Sequence, residues 1–432
     1  MHIITIEIFS QDCCKNICYC CKDICCGCLY NNNKKSEQEQ DQEQDQEQYF
    51  NNLLEDFDKN IKKFNDSIFS EDPDSTGERK YTIVKDGLAS NNEILGKGTW
   101  GTVYKVKNKK GEIFALKKAF VQEKYSFTGK NEIQALIKCR KCENVIKIVD
   151  VYKKKEKEKK NIENKGKVDG FYYYIITELY DHGDLSHSLF SLKNLYLDIH
   201  SIILRRIIYQ MINAVKQVHD KGIIHRDINL LNFFIGKKDY ELYLGDFGCA
   251  SEQYDGIYAG NFRYRCEHLL KHLEKKGEEL KHNENFNKLY KFLDIFALAT
   301  SIFHLLTGDS FWSLISYNEL INENITADEK WKIINNRSEG KDIPKKLSIF
   351  RYTTREFNEN NDENIDNWQE PDEYKKLDSD FVDILKKVLL ESNFEKFEKF
   401  DVLTIDDLIN SDFYKGLKSL VEEEKDKEKN LG

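Results

Sequence analysis

The amino-acid sequence predicts an α+β protein of two lobes, a small antiparallel sheet with one helix followed by a larger, mostly helical lobe. Residues 94–180 contain β-branched and aromatic runs, such as Phe171–Leu179, that are typical of strands. After Leu185 apolar residues recur three and four positions apart, as in Ile202–His219, which indicates helices. A chain of 432 residues is long enough to bury a sizeable core.

Composition divides the chain into segments. Ser36–Gln48 is almost pure Glu, Gln and Asp with nothing to bury, so we expect it to be disordered. The predicted segments are a Cys-rich head (1–30), a low-complexity polar and acidic linker (31–80), a folded domain (81–415, with lobes 81–180 and 181–415) and a charged tail (416–432).

Two internal stretches carry specific expectations. Phe292–Leu306 is apolar nearly all round but contains Asp294 and His304, so it predicts a buried core helix and no membrane span. Lys153–Gly170 is charged and glycine-bearing and lies between two strand-like runs, so we expect an exposed loop insertion.

The net charge and the first residues limit the class of protein. A formal charge of −9 argues against a general nucleic-acid binder, which normally carries a basic excess. The N-terminus shows no basic stretch followed by an apolar one, so we expect no secretory signal and a reducing, cytoplasmic location without disulfides.

The first motif is a G-x-G-x-x-G run between two strand-like stretches, and it reads Gly96, Lys97, Gly98, Thr99, Trp100, Gly101. Glycines allow backbone N–H groups to approach phosphate oxygens closely. Alone the pattern fits an ordinary glycine-rich hairpin equally well. A dinucleotide fold would continue as a helix, whereas Val103–Val106 continues as a strand.

Three further motifs follow in order. Phe114–Lys117 places a lysine at the end of a predicted strand, and a predicted helix with Glu132 comes next, so that the carboxylate can pair with the ammonium. The run His225–Asn232 contains Asp227, which can accept a hydroxyl proton, and Asn232, which can ligate Mg²⁺. Asp246 then stands before Phe247 and Gly248, where a carboxylate suits a hard cation that bridges phosphates.

Taken together, these motifs resemble the signature set of eukaryotic-type protein kinases, over roughly Tyr81–Tyr414. The glycine loop, the strand lysine, the helix glutamate, H-R-D-x-x-x-x-N and D-F-G all occur in the family's order. The resemblance implies the bilobal kinase fold and the transfer of a phosphoryl group from ATP, with Mg²⁺, to a protein substrate. It favours Ser/Thr acceptors because the catalytic loop shows no tyrosine-kinase pattern.

The resemblance also implies residue roles. Nucleotide binding falls to Gly96, Lys97, Gly98, Thr99, Gly101, Val103, Ala115, Lys117, Glu132, Thr177, Glu178, Tyr180, Asp184 and Phe234. Catalysis falls to Asp227, Lys117, Asn232 and Asp246, of which Asn232 and Asp246 hold the metal. Asp294 resembles the aspartate that braces the catalytic loop, and an apolar column would include Leu136, His225 and Phe247.

The acceptor side departs from the family. Asn229 stands where Ser/Thr kinases place a lysine, and Leu231 where tyrosine kinases place an arginine. Asn261 replaces the threonine of the family's G-T-x-x-Y-x-A-P-E motif, whose proline is also absent. The loss of one preorganised charge costs about 2–4 kcal/mol of transition-state stabilisation. A nucleotide-binding pseudokinase or a membrane-tethered scaffold is therefore the alternative, and Arg263 or Arg265 is a candidate substitute cation.

The end of that motif and the activation segment raise two more questions. Glu267 normally pairs with an arginine late in the domain, but residues 393–404 contain only Lys396 and Lys399 as cations. Arg226 usually belongs to a pocket for a loop phosphate, which Glu252 or Asp255 can fill without modification. We therefore expect no obligatory phosphorylation.

The head contains eight cysteines, and they are Cys13, Cys14, Cys18, Cys20, Cys21, Cys25, Cys26 and Cys28. Three interpretations compete: S-acylation that associates the protein with a membrane, zinc ligation through Cys-x-x-Cys spacings, and an unstructured biased tail. Adjacent cysteines without a nearby histidine, apart from His2, favour acylation. Cys139 and Cys142 form a further Cys-x-x-Cys that we interpret as ordinary packing.

Overall fold

The computed structural model describes residues 37–63, 80–84, 94–98, 101–123, 126–160, 167–180, 182–188, 201–236, 241–253, 260–338 and 372–431. The chain forms two units, a large one of residues 52–421 and a small one of residues 1–51 with 422–432. The described residues of the small unit are all helical. The predicted Cys-rich head lies outside the described residues.

A seven-stranded sheet forms the first lobe. Its strands are β1 (Lys62–Lys63), β2 (Tyr81–Ile83), β3 (Ile94–Gly98), β4 (Gly101–Asn108), β5 (Ile113–Gln122), β6 (Ile148–Lys160) and β7 (Lys167–Glu178). The order is β1-β6-β7-β5-β4-β2, with β3 paired to β4. Every pair is antiparallel except β1 with β6. This confirms the predicted sheet lobe.

The two faces of the sheet carry different sets of side chains. One face carries a buried apolar cluster that joins neighbouring strands, and its members are Tyr81, Ile83, Val106, Leu116, Tyr152, Tyr174 and Ile176. Because side chains alternate along a strand, the residues between them face the other way. That second face presents Val103, Ala115, Lys117 and Thr177, which the strand register places close together.

The second lobe is helical, as predicted. Three helices precede it in the chain: α1 (Glu37–Glu55) and α2 (Phe57–Asn60) near the N-terminus, and α3 (Ser126–Lys138) in the sheet lobe. The helices of the second lobe are α4 (Ser201–Asp220), α5 (Glu267–Leu280), α6 (Phe286–Thr307), α7 (Phe311–Leu314), α8 (Tyr317–Leu320), α9 (Ala327–Arg337), α10 (Asp372–Leu389), α11 (Phe394–Glu398), α12 (Ile405–Asn410) and α13 (Asp412–Leu431). A small hairpin of β8 (Phe233–Ile235) and β9 (Leu242–Leu244) lies among them.

Helix α6 is the core of this lobe. It is long and apolar enough to cross a membrane, but 83% of its most apolar window is buried inside the protein. Its central residues, including Phe296 and Phe303, have no exposed surface. The helix is therefore the buried core helix that the sequence predicts, and it brings Asp294 to the centre of the lobe.

The acidic run differs from the expectation of disorder. Residues Glu37–Glu55 form one α-helix. The run lacks an apolar stripe, which was the reason for expecting no structure. However, Glu and Gln lose little side-chain freedom in a helix and are good helix formers, so local propensity is enough to favour this conformation.

The charged stretch Lys153–Gly170 is also not the exposed loop that we expected. Strand β6 continues to Lys160 and β7 begins at Lys167, so most of the stretch extends an antiparallel hairpin. Aromatic partners explain the difference, because the Lys153 ammonium lies 4.1 Å from the ring centroid of Phe171 and bonds to Asp58 at 2.9 Å. A lysine is compatible with a strand when its ammonium lies over an aromatic ring and also bonds to a carboxylate.

The folded unit is wider than the predicted domain of residues 81–415. It begins near Asn52 and ends near Val421. Phe57 and Ile61 are buried before the predicted start, and Leu417 and Val421 are buried after the predicted end. The N-terminal stretch is therefore part of the sheet lobe, since β1 pairs with β6.

This boundary leads to a stability prediction. Phe57 is 2% exposed and its ring lies 6.3 Å from that of Tyr173, so Phe57→Ala leaves a cavity beside the sheet. We expect the free energy of unfolding to fall by about 3–5 kcal/mol in urea denaturation. The exposed neighbour Lys59 is the control, and Lys59→Ala should change it by less than about 0.5 kcal/mol. Equal stability of both variants would show that residues 52–63 are only a linker.

Candidate active site

The glycine loop is the turn between β3 and β4. Gly101 has a φ of +134°, and an added Cβ would come within 2.4 Å of the Lys118 carbonyl oxygen, so only glycine fits there. A Cβ on Gly96 or Gly98 would meet nothing within 4 Å, so the backbone of the loop borders open space. Lys97 is exposed, and Thr99 lies outside the described residues.

Lys117 connects the two lobes. Its ammonium donates to Glu132 on α3 at 2.6 Å and to Asp246 at 2.8 Å. Burial opposes the charge of Lys117, yet the two carboxylates hold its pKa above the usual value. Burial also opposes the charge of Asp246, but Lys117 holds the pKa of that carboxyl below its usual value. The predicted lysine, helix glutamate and D-F-G aspartate thus form one charged triad that is mostly buried, with Asp246 as its most exposed member.

Lys117 does not end its strand as the sequence suggested. Strand β5 continues for five more residues to Gln122, because each of these residues pairs with β7. The lysine is therefore held on both sides by the sheet. Burial and the nearby Asp246 raise the pKa of Glu132, while Lys117 acts in the opposite direction.

The residues predicted to bind the nucleotide along the sheet and at its end have a consistent geometry. Val103, Ala115 and Thr177 share the sheet face of Lys117. At the end of β7 the backbone of Glu178 donates to the Lys147 carbonyl. The Tyr180 hydroxyl accepts from the Lys147 N–H at 3.2 Å, so this tyrosine ring is fixed at the connection between the lobes.

Phe234 and Asp184 lie next to each other beyond that connection. The two residues form an antiparallel bridge, which places Phe234 of β8 beside Asp184. Asp184 accepts from the backbone N–H of His187 at 2.9 Å, and its other oxygen lies 2.7 Å from the His187 ring. The carboxylate thus caps the helical turn at 185–188, and its contact with ribose or substrate stays a prediction.

Asp294 holds the catalytic loop. It has no exposed surface, and its oxygens accept from the backbone N–H groups of His225 and Arg226, each at 2.7 Å. The His219 ring adds a contact at 2.9 Å. Burial opposes the charge, but these partners hold the pKa of the carboxyl below its usual value. The sequence predicted the brace, whereas its partner His219 was missed because nothing in α4 marks that histidine.

Three amides surround the carboxylate of Asp227. The backbone N–H of Asn261 donates to Oδ1 at 2.8 Å, and the side chain of Asn229 donates to the same oxygen at 3.1 Å. Asn232 donates to Oδ2 at 3.0 Å. Of the two unusual asparagines, Asn229 reaches Asp227 through its side chain, whereas Asn261 donates through its backbone and its side-chain oxygen accepts from the Arg263 N–H.

The activation segment comes close to the catalytic loop at Gly260. Its φ is +93°, and an added Cβ would lie 2.2 Å from the Arg226 carbonyl oxygen. Any larger residue would push Asn261 away from Asp227.

A cavity of about 20 Å³ next to Asp227, with Asn261, Tyr264 and Arg265 in its lining, has room for about one water molecule.

The apolar column is assembled. Leu136, His225 and Phe247 are all buried, and the rings of His225 and Phe247 meet edge to face at 4.7 Å. Asp246 itself has a φ of 54°, a left-handed conformation that non-glycine residues seldom adopt. Such local strain is typical of functional sites whose surroundings fix the backbone.

The donor set suits a magnesium ion. The Asn232 amide nitrogen is used by Asp227, which leaves its oxygen as a ligand, and the Asp246 side chain is 35% exposed. Among the described residues there is no group of three or more His, Cys, Asp or Glu placed to hold a metal. One carboxylate with one amide is sufficient for Mg²⁺, which keeps water and phosphate oxygens as its other ligands.

The comparison with known families decides the identity. The family model for the protein kinase domain matches residues 89–396, which is more than half of the chain. This chain is a member of the protein kinase family. The bilobal fold predicted from sequence is the fold of that family.

The curated relatives are also kinases. The chain is 28% identical to Cyclin-dependent kinase-like 1 of Caenorhabditis elegans over 265 residues, 60% of this chain and 62% of the relative. It is 25% identical to Cyclin-dependent kinase-like 4 of Mus musculus over 60% of this chain and 64% of that protein. Serine/threonine-protein kinase MPS1 of Saccharomyces cerevisiae is 28% identical over 54% of this chain and 29% of its own length. The kinase thus spans less than two thirds of these relatives.

The cations proposed for the acceptor side have specific places. Arg265 donates through Nε to Glu267 at 3.0 Å and also lines the cavity beside Asp227. The Arg263 guanidinium lies 5.9 Å from the ring centroid of Phe262, which is itself 68% exposed. Of the two candidates, Arg265 therefore shares a cavity with the predicted base.

The expected loop-phosphate pocket has partners from the protein. Arg226 donates to the Cys249 carbonyl at 2.5 Å and to the Tyr290 hydroxyl at 2.9 Å. Glu252 forms an ion pair with Lys138, at the last turn of α3, at 2.5 Å. Asp255 lies outside the described residues. Glu252 therefore connects the activation segment to the helix that carries Glu132, a contact that the sequence did not indicate.

The brace gives a pH-dependent prediction. Asp294→Asn removes the buried charge while its donors remain, so we expect the free energy of unfolding to fall by about 3 kcal/mol or more at pH 7. The pKa of Asp294 is lower in the folded protein than its usual value of 3.8 in the unfolded chain. As the pH falls below about 3.8, the unfolded chain therefore takes up the proton more readily than the folded protein, and the stability that this charge contributes is progressively lost.

Urea denaturation of both proteins between pH 7 and pH 3 measures this effect. The stability difference between wild type and Asp294→Asn should shrink below about pH 4. The exposed Asp220 is the control, since Asp220→Asn removes a carboxylate with little burial. A difference that stays constant down to pH 3 would show that the charge of Asp294 does not hold the loop.

Proposed function

We propose that this kinase transfers the γ-phosphate of Mg-ATP to Ser or Thr hydroxyls of protein substrates. The observation that carries the proposal is the carboxylate of Asp227, which three amides orient at the mouth of the site. A carboxylate held in this way can accept the proton of an incoming hydroxyl. The named Ser/Thr kinase among the relatives supports the choice of acceptor.

The nucleotide side supports ATP and magnesium as cofactors. Lys117 would contact the α- and β-phosphates, since Glu132 and Asp246 fix its ammonium, and the open glycine loop would cover them. Asn232 and Asp246 would hold Mg²⁺, whose chemistry is to neutralise charge that develops on the phosphate oxygens. A site without nucleotide function would have no need for this charged triad.

The acceptor side supports a second candidate, a pseudokinase or scaffold with little transfer. Asn229 brings no positive charge to the place where the family has a lysine. Its side-chain amide nitrogen instead donates to Asp227, and its side-chain oxygen accepts from the backbone N–H of Leu231. A neutral donor stabilises a phosphoryl group less than an ammonium does, so slower transfer is the expected cost of this substitution.

One assay separates the two functions. Purified wild-type protein with Mg-ATP and generic protein acceptors should form phosphoserine or phosphothreonine, measured by phosphoamino-acid analysis. Asp227→Asn should lower the rate by about 10²–10⁴-fold, because the proton acceptor is lost. Asp220→Asn, the same change at an exposed site, should leave the rate unchanged. Equal rates for wild type and Asp227→Asn would assign the activity to a contaminant and favour the scaffold.

We further propose that the cysteines between Cys13 and Cys28 carry acyl chains that bring the kinase to a membrane. The support is their adjacency in pairs, and two or more acyl chains give stable anchoring. The full chain expressed in eukaryotic cells should sediment with membranes and be released by hydroxylamine, which cleaves thioesters. Replacement of all eight cysteines by serine should likewise leave the protein in the soluble fraction. A wild-type chain that stays in the soluble fraction would contradict the proposal.

A further inference from the structure

The end of the activation segment differs from the family at the position of its usual ion pair. In the part of the chain that the structure describes, Glu267 pairs with Arg265, only two residues away, and with no arginine late in the domain. The two cations of residues 393–404 pair locally, Lys396 with Glu391 and Lys399 with Glu395. Some other contact must therefore hold this segment to the helical lobe.

A buried chain of uncharged groups lies at this place. Cys266, the residue before α5, has no exposed surface, and its sulphur lies 3.6 Å from Nδ1 and 3.4 Å from Nε2 of His268. The ring Nε2 lies 2.9 Å from the Ser392 hydroxyl, just beyond the end of α10. His268 and Ser392 are 124 residues apart, so this chain connects the segment to a distant helix.

The hydrogen-bond directions follow from the donors. Ser392 donates its only hydroxyl proton to the Val388 carbonyl at 2.9 Å. It must therefore accept from His268, which places the ring proton on Nε2 and leaves Nδ1 as the acceptor. The Cys266 sulphur is nearly equidistant from both ring nitrogens, so it packs against the face of the His268 ring. The direction of the hydrogen bonds is then His268 to Ser392 to Val388.

The surroundings keep these groups neutral. Burial and the nearby Lys330 lower the pKa of His268 to about 3, and burial raises the pKa of the Cys266 thiol. The His268 ring stacks on Phe397 at 5.3 Å and meets Phe296 edge to face at 5.4 Å. Phe397 belongs to the stretch where the family has its arginine, so an aromatic contact stands in place of the charged one.

The same segment reaches the catalytic base at its other end. Asn261 donates to Asp227, and Thr300 on α6 donates to the Tyr264 carbonyl at 3.0 Å. Residues 260–266 therefore run from the base to the neutral chain. We propose that Cys266, His268 and Ser392 form an uncharged anchor that positions this acceptor-binding segment, in place of the family's glutamate–arginine ion pair. Its effect on turnover, though not its effect on the segment, rests on the proposed function.

Hydrogen–deuterium exchange of residues 260–266 in the full chain tests the anchor without reference to activity. His268→Phe keeps the ring stacking but removes the hydrogen bond to Ser392, and Ser392→Ala removes the same bond from its other side. Each should raise exchange in this segment by about 3- to 10-fold, which corresponds to the loss of one neutral hydrogen bond. If His268→Phe fails to fold, Ser392→Ala decides.

His272 is the matched control. It lies one turn further along α5, packs against Phe394 and Phe397, and its Nε2 has no hydrogen-bond partner among the residues that the structure describes. His272→Phe should leave exchange at residues 260–266 at the wild-type rate. Unchanged exchange in Ser392→Ala, or an equal rise in His272→Phe, would overturn the anchor.

Kinetics then separate positioning from general stability. His268→Phe and Ser392→Ala should raise KM or lower kcat for the protein acceptor by about 3- to 10-fold while KM for ATP stays constant. Cys266→Ser, which keeps a small side chain against the His268 ring, should retain most of the activity of wild type. If KM for ATP rose equally, the three residues would be merely structural. A wild type without transfer would refute the proposed function alone, since the exchange result stands independently.

Discussion

The buried carboxylate of Asp294 is the constraint on which the catalytic half of the molecule depends. A charge without exposed surface is tolerated only if donors satisfy it, and here two consecutive backbone N–H groups and a histidine do so. Those two N–H groups belong to the residues just before Asp227. Arg226 is held at a φ of 65°, so the chain turns sharply and presents the base to the site. Helix α6 thus fixes the catalytic loop from within the core.

The two halves of the site are built with different chemistry. The nucleotide half depends on charge, since one ammonium joins a carboxylate of α3 to the carboxylate of Asp246 across the lobes. The acceptor half depends on neutral amides, with Asn229, Asn232 and Asn261 around one carboxylate. Neutral donors orient a group well but add little positive potential. The acceptor half therefore orients Asp227 well, but it carries less positive charge than the family has at this place.

Sequence reasoning located the elements whose signal is local. The glycine loop, Lys117, Asp227 and Asp246 stand in short motifs, and the structure brings the last three into one site. The acidic helix Glu37–Glu55 was missed because a low apolar content says nothing about helix propensity. The partners of His268 could not be foreseen, since Ser392 and Phe397 lie more than a hundred residues away. Contacts of that kind depend on how α5, α10 and α11 pack, which no local pattern encodes.

The central claim is that an asparagine-built acceptor site still supports phosphoryl transfer, and single-turnover kinetics test it most directly. Wild type and Asn229→Ala, each preloaded with Mg-ATP, are mixed with a serine peptide, and phosphopeptide formation is followed in time. We expect measurable transfer by wild type and a rate about 10-fold lower or more without the Asn229 amide. Saturable nucleotide binding with no transfer by wild type, or equal rates in both proteins, would contradict the claim.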